Sequence, residues 1–157
     1  MNKIPKEITA FFEKNEGKVF LNYLRLLTEK EQDQYLKVCK TYKSWEPGIP
    51  FAVTRLGEIL AWTDDGYIMM YKFYENSVRV ILQGCEYFET FMNSSSVQND
   101  YFELELNNEA LKKFGNITSS ECFIFEPIIA LGGNKSINNI QKGDTLTYIA
   151  LCINFIN

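Results

Sequence analysis

The 157-residue chain is 46% hydrophobic and 23% charged, which excludes a disordered or low-complexity protein and allows one domain with a self-sufficient core. Its net charge of −4 excludes the basic stripe with which proteins displace counterions from phosphates, so no nucleic-acid partner is expected. Histidine is absent, so no Ser-His-Asp, Cys-His or two-His zinc site can be built.

The opening Met1-Asn2-Lys3-Ile4-Pro5-Lys6-Glu7 lacks a signal-peptide apolar run, and no stretch of the chain reaches the 18 apolar residues of a membrane span. The expectation is a cytoplasmic protein without a membrane partner, in which Asn93, Asn116 and Asn134 are turn residues and not glycosylation sites. Residues 1–49 read as a helical lead-in. Pro5 suits a first helical turn, with Ile8, Phe11 and Phe12 at i, i+3, i+4. Phe20, Tyr23, Leu24 and Leu27 repeat that spacing after Gly17 and predict a second helix. Thr28 and Glu31 form a capping box opening a third, whose stripe is Tyr35, Val38, Cys39 and Tyr42 and which Pro47-Gly48 and Pro50 stop.

The period then changes. Segments 51–54, 58–62, 67–71 and 78–82 are short and rich in β-branched and aromatic residues. Leu56-Gly57, Asp64-Asp65-Gly66 and Glu75-Asn76-Ser77 separate them at hairpin spacing, predicting an antiparallel meander. Strands apolar on both faces imply helices packed on the sheet. Tyr87, Phe88, Phe91 and Met92 read as a helical stripe, followed by a polar break at Asn93-Ser94-Ser95-Ser96. Asn107 can cap a short helix carrying Leu111 and Phe114 and ending at Gly115. Segments 122–125 and 128–131 look extended, with Pro127 between them. Residues 144–156 fit a C-terminal helix behind an Asp144 cap, though the segment is strand-like too. The fold class is α+β within a single domain, 1–157. Cys39, Cys85, Cys122 and Cys152 sit in apolar stretches without a CxxC pair and read as buried free thiols.

Few residues carry chemistry. Asp64-Asp65 is the best acidic candidate for a divalent metal, but Asp-Gly between apolar strands is first a hairpin turn. Glu86 and Glu89 at i, i+3 read as a solvated helix face before a catalytic pair. Leu131-Gly132-Gly133-Asn134-Lys135-Ser136 lacks phosphate-loop spacing. Nine tyrosines are hard to hide completely, and half-exposed tyrosine suits a binding surface.

The run Glu121-Cys122-Phe123-Ile124-Phe125-Glu126-Pro127-Ile128-Ile129-Ala130-Leu131-Gly132-Gly133, with Ser136 to Lys142 behind it, resembles the C-terminal domain of type VI secretion immunity proteins. Phe51 to Trp62, with its Leu56-Gly57-Glu58 turn, resembles the GAD-like region that partners that domain, so the likeness spans 50–157. Gly57, Trp62, Pro127, Gly132 and Gly133 carry the signature and speak to strand ends and turns. The resemblance implies a non-enzymatic, cofactor-free antidote that binds a cognate toxin, a DNA-cleaving one in the best-known cases, and occludes its active groove. The expected contact residues are Asp64, Asp65, Tyr67, Tyr71, Tyr74, Glu75, Glu86 and Glu89. The alternatives are a carboxylate-dependent, magnesium-assisted hydrolase, and an adaptor with an immunity-like fold.

Overall fold

The computed structural model describes residues 3–157, so Met1 and Asn2 of the N-terminal reading lie outside it. Helix α1 (Lys6–Lys14) buries Ile8, Phe11 and Phe12, as their spacing requires. The predicted second helix is corrected: Val19–Asn22 makes one 3-10 turn, and Leu24–Leu26 is a strand, β1. Phe20, Tyr23, Leu24 and Leu27 are all buried, as a helix would have buried them. The alternative wins because β1 pairs antiparallel with strand β2 (Gly48–Thr54) and satisfies that strand's edge.

Helix α2 (Glu29–Cys39) opens on the predicted capping box: Thr28 accepts from the Glu31 amide, and the Glu31 carboxylate accepts from the Thr28 amide. It packs on β2. The meander follows as β2, β3 (Ile59–Thr63), β4 (Tyr67–Lys72) and β5 (Ser77–Gln83), giving a five-stranded antiparallel sheet in the order β1-β2-β3-β4-β5. Pro50 lies beside an irregularity in the β2–β3 register, the kind of place where its missing amide proton is tolerated.

Helices α3 (Phe88–Met92), α4 (Ser95–Asp100) and α5 (Leu104–Phe114) follow. Two expectations fail here. The Asn93–Ser96 break is only a short interruption, because a new helix starts at Ser95 and buries Val97. Asn107 is not a cap but a buried residue one turn inside α5. The residue before α5 is Glu103, held at φ 52°, and its side chain is engaged in ion pairs described below. Gly115 ends the helix as predicted.

Strands β6 (Glu121–Phe125) and β7 (Ile140–Asp144) form a second, two-stranded antiparallel sheet. β7 carries one buried apolar residue, Ile140, among polar ones, so it has no strand signature of its own. The stretch 128–131 is not extended throughout: Ile129–Leu131 is a 3-10 turn. The chain doubles back there, with the amides of Leu131 and Gly133 both donating to the Ile128 carbonyl at 3.0 Å. A Cβ at Gly133 would overlap the Pro127 carbonyl, so only glycine fits. Residues 145–156 are helical: α6 (Thr145–Ile156) starts where Asp144 Oδ1 accepts from the Thr147 amide at 2.8 Å. Tyr148, Ile149, Cys152, Ile153 and Ile156 form its buried face. α6 packs on α2.

One cluster of buried side chains draws residues from α1, α2, both sheets and α6. All four cysteines are free, and Cys85 differs from the expectation in being only half-buried.

Two substitutions test these local arguments. Gly133→Ala should lower unfolding free energy by about 1–3 kcal/mol through the forced shift at Pro127. Thr28→Ala should cost about 1 kcal/mol through the lost cap. Urea denaturation of each variant against the unchanged chain measures both.

Candidate functional site

The densest gathering of ionisable groups lies under the end of the sheet where the β2–β3 and β4–β5 connections meet. Glu58, just before β3, is fully buried, and Lys72, the last residue of β4, is 5% exposed. Lys72 Nζ stands 3.5 Å from Glu58 Oε1, 3.6 Å from Glu103 Oε2 and 3.9 Å from Glu75 Oε1. Lys135 closes the outer side, pairing with Glu75 at 2.7 Å and with Glu103. Tyr23 Oη lies 3.0 Å from Glu58 Oε2 and also against the Phe102 carbonyl. Tyr74 Oη lies 2.7 Å from Glu58 Oε1 and 2.8 Å from Glu103 Oε2.

A proton count constrains this cluster. The two tyrosine hydroxyls make four short oxygen–oxygen contacts but own two protons between them. A proton on Glu58 supplies a third. Glu58 can then donate to Tyr74 while Tyr74 donates to Glu103. Burial works in the same direction, pushing the Glu58 carboxyl up to about 7 against the pull of Lys72. Glu103, beside Lys72 and Lys135, stays below the ordinary carboxylate range despite its own partial burial. Burial and the neighbouring carboxylates hold both tyrosines well above their usual value, so they remain hydroxyl donors.

A raised carboxyl beside two tyrosines has the look of acid–base machinery. Catalysis also requires a place for substrate, and Glu58 lines neither of two surface clefts among the described residues, of about 230 and 220 Å³. Nor do Asp64 and Asp65 supply an acid facing it. They occupy the β3–β4 turn, and Glu58 precedes the opposite end of β3. Among the described residues no group of three acidic or thiol side chains gathers in a way that could hold a metal ion.

The expected contact residues separate into three places. Asp64 and Asp65 are exposed in their turn, with Tyr67 half-buried behind them, and Asp65 Oδ1 accepts from Thr63 Oγ1 at 2.5 Å. The Gly84 amide donates to the Gly66 carbonyl at 2.8 Å, which sets the chain leaving β5 beside this turn. Exposed Glu86 therefore belongs to the same end of the sheet. At the other end, Tyr74 and Glu75 are committed to the ion cluster. Tyr71 is buried, stacked on Trp45 at 4.5 Å, and its oxygen accepts from the Glu46 amide at 3.0 Å. Tyr71 and Tyr74 are corrected from surface residues to core residues. Lastly, Glu89 on α3 pairs with Lys14 at 2.7 Å.

Sequence reasoning missed Tyr87. It was placed on an apolar helical stripe, but it precedes α3 and is 66% exposed beside Glu86. It also missed Glu58, Lys72, Glu103 and Lys135 as a group, since no spacing links four residues from four segments. Of the signature residues, Gly57 packs over the Tyr148 ring, where a Cβ would lie at 3.4 Å, and Trp62 stands over Gly66. Pro127, Gly132 and Gly133 shape the loop that delivers Lys135 to the cluster.

An α+β protein with a five-stranded antiparallel meander, a β6–β7 ribbon and a capped C-terminal helix is the class these elements define. The same fold occurs in the solved structure of Atu4351 from Agrobacterium tumefaciens, with a TM-score of 0.61 across 96% of this chain and 75% of that one, at 16% identity. Residues 83–155 match the family described as T6SS immunity protein Tdi1, C-terminal. Among curated proteins no match is found.

The buried carboxyl makes a prediction about pH. With its folded value near 7 and an ordinary value of 4.5, Glu58 holds a proton in the folded state that the unfolded chain releases between those pH values. Stability therefore falls as pH rises through that window, by about 3 kcal/mol from this group alone. In Glu58→Gln that slope should disappear. Urea midpoints of both proteins at pH 5, 6, 7 and 8 measure the difference, and parallel curves would contradict a proton held on Glu58.

Proposed function

We propose that this protein is an immunity protein that binds a cognate type VI toxin and neutralises it by covering its active groove. The observation that carries the reading is the family match at residues 83–155. The location of the acid cluster supports it. The one carboxyl whose environment would suit catalysis is sealed under the sheet, as a structural group would be. The hydrolase alternative needs that group, or Asp64 with Asp65, to face a substrate pocket, and none of the three lines either of the two clefts described above. The adaptor reading remains separable by the partner alone.

The contact surface we assign is the sheet end bearing Asp64, Asp65, Tyr67, Glu86 and Tyr87. It combines acidic side chains with a strongly exposed tyrosine, a pairing suited to a basic groove. The net charge of −4 acts in the same sense. A nuclease, whose groove must attract phosphates, is the toxin class this charge fits best. The cytoplasm is where such an enzyme would meet DNA, and four free thiols suit a reducing compartment. We read residues 50–62 as the GAD-like strand–turn–strand, and 1–157 as one domain. No helix among the described residues is long and apolar enough to cross a membrane.

The test is co-purification with the product of the neighbouring gene, followed by assay of that product's DNA cleavage with and without this protein. The expected result is a stoichiometric complex and loss of cleavage. The double charge reversal Asp64→Lys with Asp65→Lys should slow association and weaken the complex at least tenfold, with thermal stability unchanged. If the neighbouring product neither binds nor is inhibited, the antidote reading fails. If it binds and the double reversal changes nothing, the toxin docks on another face.

A further inference from the structure

The larger cleft lies where β1 and the end of β2 meet the segment leading into β6, at the opposite end of the sheet from Asp64. Its volume is about 230 Å³, and its wall includes Arg25, Arg55, Thr118, Ser119, Glu121 and Thr145. The two arginines differ sharply in how they are compensated. Arg25 Nη1 donates to both Glu31 oxygens at 2.9 Å, and its Nη2 donates to the Ser119 carbonyl at 3.0 Å. Arg55 has no ion-pair partner among the described residues, and its Nη1, shut off from solvent, finds no acceptor there.

The carboxylate in the cleft lining does not fill that role. Glu121 is turned to its own turn, where Oε1 accepts from the Thr118 amide at 3.0 Å. Burial lowers the Arg55 pKa, and no neighbouring acid offsets it. A guanidinium stays charged even so, so the cleft wall holds a cation without a counter-charge. The planar fork of an arginine matches the two oxygens of a carboxylate or a phosphate, and partial desolvation strengthens the attraction. Thr118, whose Oγ1 lies 3.2 Å from Ser120 Oγ, and Ser119 stand at the exposed rim.

We propose that this cleft is a binding site for a small oxyanion, a carboxylate or phosphate group, held by Arg55. The proposal does not rest on the toxin-binding reading, because it concerns the other end of the sheet and a ligand of the opposite charge to a basic groove.

The experiment is an NMR titration of the full chain, labelled with ¹⁵N, with sodium phosphate in one series and sodium acetate in the other. Chloride keeps ionic strength constant. The Arg55 Nε–H signal and the Thr118 and Ser119 amides should shift saturably with at least one anion, while the Arg25 Nε–H signal moves less. The anion that saturates at lower concentration identifies the tetrahedral or the planar group as the better ligand. In Arg55→Gln the Thr118 and Ser119 response should vanish. Ser119→Glu, a change at an exposed rim position, places a competing carboxylate there and should raise the half-saturating concentration at least tenfold, even if Arg55→Gln fails to fold. Shifts that stay linear with both anions, or saturation unaltered in Ser119→Glu, overturn the proposal.

Discussion

A carboxylate sealed under a sheet is the constraint around which the rest of this molecule is arranged. Burying an isolated charge costs several kcal/mol, so Glu58 needs either a proton or a set of partners. The fold provides both. Its direct partners are Tyr23 ahead of β1 and Lys72 and Tyr74 at the β4–β5 connection, while Glu103 before α5 joins through Lys72 and Tyr74, and Lys135 through Glu103 and Glu75. Glu103 accepts a left-handed backbone to reach this cluster. Each segment is thus fixed relative to the meander by electrostatics and hydrogen bonding as well as by apolar packing.

That arrangement gives the signature residues a physical role. Gly133 lets the chain press against the Pro127 carbonyl, and the loop so formed carries Lys135 to Glu75 and Glu103. The signature therefore specifies how the family's C-terminal region is latched onto the sheet before it. Of the signature residues only Trp62, over Gly66, reaches the Asp64–Tyr87 surface. The latch and the exposed acidic turn occupy opposite ends of the meander.

The exposed acidic surface is correspondingly separate from the core. Of the tyrosines expected at an interface, Tyr71 and Tyr74 serve as interior hydrogen-bonding aromatics, while Tyr87, placed in the core by its spacing, is exposed. Burial of a tyrosine depends on whether its hydroxyl finds a partner. Those partners, the Glu46 amide and the carboxylates of Glu58 and Glu103, come from distant parts of the chain.

The sequence by itself determined what local periodicity and turn chemistry govern: the α1 stripe, the Thr28–Glu31 box, the four meander strands with their turns, the Gly115 stop, and the α+β class. It also carried the Pro127 to Gly133 signature, which lies within the region that matches the immunity-protein family model. The tertiary structure decided whatever depends on groups far apart in the chain. Segment 24–26 became a strand because β2 offered an edge, β7 formed because β6 did, and Asn107 lost its cap role when Glu103 was drawn to Lys72 and Lys135. The Glu58 cluster and the uncompensated Arg55 were illegible for the same reason. A charge is read from its own residue, but its compensation is a property of neighbours that only folding brings within a few ångströms.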